Sequence, residues 1–172
     1  GGGDALGDVI TFTGTINDAN SDSTLQLIAG LGSVDLRGNV GGANRIESLV
    51  VASAAQVDLA NVSADADIAV TGTNIDLLGT VYLSNAEDVT FTGVVDLDGA
   101  GVTVVVTGGA DAGDVITFTG IINDAASDTT LQLIGGALGA VDLRGDIGGV
   151  EFGCRGLRAG YAQPVTGPPA GP

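Results

Sequence analysis

One stretch of the chain occurs twice. Residues 7–42 read GDVITFTGTINDANSDSTLQLIAGLGSVDLRGNVGG, and residues 113–149 read GDVITFTGIINDAASDTTLQLIGGALGAVDLRGDIGG. About four positions in five are identical, with Ala137 inserted in the second copy. Ahead of that insertion, corresponding residues lie 106 positions apart. A period this long and this well kept marks a repeat architecture, in which each unit buries its apolar face against the next.

A shorter pattern runs inside the long one: Val or Ile, x, Leu or Phe, x, Gly, x, Val or Ile. It starts at Ile10, Val34, Ile75, Val89, Ile116 and Val141, with a version one residue shorter at Val57. Alternation with period two puts the aliphatic side chains of a strand on one face. The glycine between strands provides a bend that a side chain would obstruct. Further alternating strands follow at Leu25-Leu27, Leu49-Val51, Ile68-Val70 and Leu131-Leu133, and no stretch has a helical period. The expected fold is therefore all-β: a parallel β-helix, or β-solenoid, of about seven coils of roughly 21 residues. An antiparallel sandwich is the less favoured reading, because it has no reason to repeat one strand motif. At about 4.8 Å per coil the solenoid would stand roughly 33 Å tall.

The solenoid domain is expected over 1–149. The remaining 150–172 hold all four prolines and the lone Cys154. That Gly/Pro-rich tail is either a natural linker or cap, or sequence foreign to the repeat. The chain opens within a repeat, so it reads as a piece of something longer.

Aromatic residues make up 3% of the chain, and Trp, Met, His and Lys are missing. The core must then be Val, Leu, Ile and Ala, which suits uniform stacked layers better than an enzyme fold. The net charge of −16, from 21 acids against five arginines, excludes a nucleic-acid partner, which needs a basic footprint. It also opposes binding to anionic membranes. No apolar run approaches the roughly 20 residues of a membrane span, so no membrane insertion is expected. One cysteine gives neither an internal disulfide nor a zinc cluster.

The segments GDVITFTGTIND, TLQLIAGLGSVDLRGNVGG, RIESLVVASAAQVDL and AEDVTFTGVVDLDGAGVTVVV resemble the repeats of very large bacterial surface proteins of the filamentous-haemagglutinin-like, adhesin type. The resemblance covers roughly residues 7 to 149. It implies a right-handed parallel β-helix, export to the bacterial cell surface or beyond, and an extended stalk with adhesive regions. The family has no shared catalytic motif to carry over. The expected function is thus a structural or adhesive, non-enzymatic segment. Its expected partners are copies of itself, joined by axial strand stacking, and cell-surface glycans or proteins. A calcium-binding matrix or surface-layer-like protein and a polysaccharide-processing β-helix enzyme are the alternatives.

Candidate sites are few. Asp35-Leu36-Arg37 and Asp142-Leu143-Arg144 put an acid and a base on an outward strand, as some polysaccharide-degrading β-helices do. An active site needs a unique constellation of different roles, so a triplet that occurs twice points to structure and no catalytic residue is assigned. The loops at 17–22 and 123–128 are rich in oxygen ligands, which calcium wants six to eight of. Asp18, Asp22, Asp124 and Asp128 are the candidate calcium ligands, against the plainer reading that Asn, Asp and Ser close a turn on their own backbone. Stacking in register would align Asp35, Asp58 and Asp76 in an outward ladder. Two such charges about 4.8 Å apart repel by about 0.9 kcal/mol even at water's dielectric. The pairs Thr11/Thr13, Thr90/Thr92 and Thr117/Thr119 raise an ice-binding reading, which the aspartate ladder is expected to interrupt; β propensity explains threonine adequately.

Overall fold

The structure, a computed structural model, describes residues 5–20, 22–98, 103–124, 129–148 and the backbone of 158–159. Every strand pairing in it is parallel, and the described residues contain strands and no helix. The chain winds as a β-solenoid with three sides.

Side A stacks β1 (Val9–Phe12), β3 (Ser33–Leu36), β5 (Gln56–Leu59), the second half of β7 (Ile68–Leu77), the second half of β9 (Val89–Leu97) and β12 (Ile122–Asp124). Side B runs from Ile16 and Val40 through β6 (Val62–Ala64), β8 (Val81–Ser84), β10 (Thr103–Thr107) and β13 (Thr130–Ile134) to β15 (Arg158–Ala159). Side C stacks β2 (Thr24–Ile28), β4 (Ser48–Ser53), the first halves of β7 and β9, β11 (Val115–Phe118) and β14 (Ala140–Leu143). The two long strands β7 and β9 run round the corner from side C to side A, so those sides form one ten-stranded sheet and side B a five-stranded one.

The inward columns are the core. Ile10, Val34, Val57, Ile75, Val95, Ile122 and Ile147 stand one above another on side A. Leu36, Leu59 and Leu77 form the column beside it, fully buried. Aromatic side chains gather where sides B and C meet: Tyr82 lies edge-on to Phe91, and Phe91 stacks on Phe118 with ring centroids 5.0 Å apart. The Tyr82 hydroxyl donates to the Leu59 carbonyl at 2.8 Å and accepts from the Gly79 amide at 3.0 Å. Its buried polar tip is thus satisfied, as burial requires.

Glycine corners allow the turns to stack. A Cβ on Gly38 would overlap the carbonyl of Gly14 below it, and one on Gly120 or Gly145 would overlap the carbonyl of Gly93 or Gly120. Gly93 adds a φ of 137°, outside the reach of most L side chains. The periodic glycine of the sequence pattern is therefore a close-approach ladder as well as a bend.

The fold class is as expected, but the coil count is not. The described strands make about five turns, not seven. Pattern starts overcount because the pattern marks a corner, and the chain uses it at two corners. Ile10, Val34, Val57 and Ile75 open side A, whereas Val89, Ile116 and Val141 lie on side C. Ile75 and Val89 thus belong to a single turn. Steps along the side-A column run from 18 residues (Val57 to Ile75) to 27 (Val95 to Ile122), the difference being taken up in the loops. Past Gly149 the stack continues on side B, where Arg158–Ala159 pairs with β13.

Candidate functional site

The expected ladder of aspartates is present on side A and is longer than the sequence suggested. Asp35 pairs in register with Asp58, Asp58 with Asp76, and Asp76 with Asp96. Thr11 lies below the column and Asn123 above it. Asp96 was missed because Val95 closes the pattern that starts at Val89 and was not taken as the start of another; the alternation Val-Asp-Leu that it shares with Asp35 and Asp58 was the available signal.

The column is not uniform. Asp35 is buried to 7% exposure and held by the Arg37 guanidinium, Nε to Oδ2 at 2.7 Å. Asp58 accepts from the Gln56 side-chain amide at 2.8 Å. Asp76 sits between neighbouring acids. Burial first of all pushes its carboxyl above the ordinary carboxylate value of 3.8, Gln56 opposes this, and Asp58, Asp96 and Asp98 add to it. A raised folded-state value gives a stability contribution that is full below the unfolded value and lost as pH rises through the folded one. The Asp76→Asn variant is therefore expected to match the parent near about pH 3 and to exceed it in stability at about pH 7. Urea titrations of both chains at the two pH values check this. Equal stability at both pH values would show that neither burial nor the neighbouring acids disfavour the charged Asp76 carboxylate.

The two Asp-x-Arg triplets are not brought together. Asp35 and Arg37 lie on side A, Asp142 and Arg144 on side C. Each forms the same local pair, with Arg144 Nε 2.8 Å from Asp142 Oδ2. The arginine side chains are 67% and 62% exposed, so solvent screens both pairs and they stabilise the fold little.

The aspartate loops are likewise separate. Asp18 follows side B, and Asp124 ends β12 on side A. In the first loop the Asp18 carboxylate accepts the amides of Asn20 at 3.2 Å, Asp22 at 2.9 Å and Ser23 at 2.7 Å. Those amides, Asn20 first, hold its carboxyl below the ordinary value against a smaller opposing effect of burial. Asp22 accepts from the Ser23 hydroxyl at 3.4 Å. In the second loop Asp124 accepts the Thr129 amide at 3.0 Å, five residues on, as Asp18 does from Ser23. Asp128 lies outside the described residues. Both loops are thus closed by a carboxylate on its own backbone, and among the described residues no three acids, Cys or His gather as a metal cage.

The threonines divide between sides. Thr11 lies beneath the aspartates of side A, whereas on side C Thr90 pairs with Thr117 and Thr71 with Thr92. The interruption expected from the aspartate ladder falls on side A and leaves the side-C group intact. That group spans three layers only, and its Thr90–Thr117 column has Ala69 and Val50 below it and Asp142 above.

One feature had no sequence signal. An open polar cleft of about 400 Å³ lies between residues 41–45 and the strand carrying Ser63, and Arg45 crosses it to Asp65 at 3.2 Å. Two glycines and no aromatic group are among the residues that line it. Among the described residues no helix is long and apolar enough to cross a membrane. Comparison of the chain with known protein families, with curated proteins and with solved structures finds no match.

Proposed function

We propose that the chain is a structural, non-enzymatic segment of a bacterial fibre or adhesin, working at the cell surface or outside the cell and joining copies of itself end to end. The observation that carries this reading is the solenoid itself: a repeat with a period of 106 residues whose second copy stacks on the first through all three sides. Repeated layers build length, and stacked strands have edges that other strands can extend. Head-to-tail contact does not close on itself, so it yields filaments.

Light scattering and electron microscopy across a salt series test this. Axial association is expected to grow with salt, because about 0.15 M salt shortens the reach of the acidic surface to about 8 Å. Particles that stay monomeric at high protein and salt concentration would sink the self-joining part. The same series with a chelator separates the calcium-dependent reading. The melting temperature is expected to hold, since both aspartate loops close on backbone amides. Turnover of acidic polysaccharides would replace the structural reading with an enzymatic one.

A further inference from the structure

The structure contains one complete junction between two long-repeat units. The second unit opens with β11, which lies on the first half of β9: Ile116 on Val89, Phe118 on Phe91. It continues with β12 on the second half of β9, Ile122 on Val95, and with β13 on β10, Leu131 on Val104 and Leu133 on Val106. Hydrogen bonds follow the same path. Val115 donates its amide to Asp88 Oδ1 at 2.7 Å, Thr119 to the Phe91 carbonyl at 3.0 Å, and Gly136 to the Gly109 carbonyl at 3.1 Å. The described part of the first unit's closing layer, residues 88–98 and 103–109, is thus matched to the opening layer of the second on every side.

The first unit opens with the same residues. Ile10, Phe12, Ile16, Leu25 and Leu27 correspond to Ile116, Phe118, Ile122, Leu131 and Leu133. They are in the same order and on consecutive sides, and in both copies all but Phe12 belong to the core or pack against it. Only their cover differs. Phe118 is fully buried, whereas Phe12 is 36% exposed and Val9 is 54% exposed.

We infer that the lower edge of the first turn is a docking surface for one occupant: the closing layer, residues 88–109, of another copy of the 106-residue unit. This rests on the structural reading above and names the surface through which such a segment joins. In the 172-residue chain that layer is already covered by the second unit, so free copies cannot form this matched junction, and the salt-dependent association described above uses other strand edges. The junction also has a defined rotation. The first unit opens on side A and the second on side C, so a unit that docks beneath β1 has its own β1 turned one side from it.

The test joins residues 1–112 directly in front of residues 7–172, which reproduces the native join at Gly113. With the single Cys154→Ser throughout, Thr11→Cys in the original unit is combined with Thr90→Cys in the added one. The two outward positions are expected to form a disulfide, as neighbours in a parallel sheet lie within its reach. Thr11→Cys with Asp96→Cys in the added unit, the pairing required without the rotation, is expected to stay reduced. Amides of the original β1 are expected to exchange about tenfold slower or more than in the 172-residue chain. Unchanged exchange, or a disulfide to position 96 in place of 90, overturns the inference. Turnover on a polysaccharide would remove the structural reading and leave this junction standing, so the two can fail separately.

Discussion

Leu36→Asp is expected to leave the chain unfolded. Leu36 has no exposed surface and stands in the side-A column between Phe12 and Leu59. Losing a buried leucine costs about 2–5 kcal/mol. An unpaired carboxylate left in the dry stack costs several more, or must take up a proton to stay there. The sum is comparable to the whole stability of a domain, about 5–15 kcal/mol. Asp58→Asn, one layer up and facing outward, is the control and is expected to fold. Far-ultraviolet circular dichroism and thermal melting decide the matter. A Leu36→Asp chain that kept both its β signal and its transition would show that the column does not face inward.

Phe118→Ala is expected to cost about 3–5 kcal/mol and Phe12→Ala about 1 kcal/mol or less, although both phenylalanines lie in the hexapeptide VITFTG. Propensity, neighbours in sequence and strand position are the same. What differs is the layer below: Phe118 lies on Phe91 in a stacked ring contact, which adds about 0.5–1.5 kcal/mol to area burial, while Phe12 keeps a third of its surface exposed. Urea midpoints of the two variants provide the comparison. Equal losses would mean that β1 is covered in solution by something the present structure does not show.

Much of the fold was legible in the sequence because a solenoid repeats its instructions. Val34 with Leu36 and Val57 with Leu59 announce an inward face by alternation alone, and the aspartate between each pair then has to face outward. Side assignment was not legible. The pattern at Ile75 and the pattern at Val89 look alike, yet one opens side A and the other side C. The number of strands in between decides which corner is reached, here β8 alone, and the pattern itself does not count them. The same limit hid Asp96 from the ladder and placed the threonines of 90–92 and 117–119 on the wrong side. The roles of Asp18 and Asp124 were open between cation ligand and turn closure, because both readings use the same atoms. Which of them applies depends on where backbone amides point, and that is set by the curl of the loop.

The shift of the second unit from side A to side C sets the mechanics of any array built from such units. From Ile10 to Ile116 the chain takes fourteen side-to-side steps, or four and two-thirds turns. Successive units would place equivalent groups on A, then C, then B, and coincide again after three. A rod with all its phenylalanine stacks or all its aspartate columns along one edge would be stiffer, or more self-repelling, on that edge and would bow. Distributing them by thirds would cancel the bias, so such a rod would stay straight and resist flexing equally in every direction. A straight, isotropic shaft also shows each surface group to all points of the compass every three units, whichever way the shaft happens to be turned.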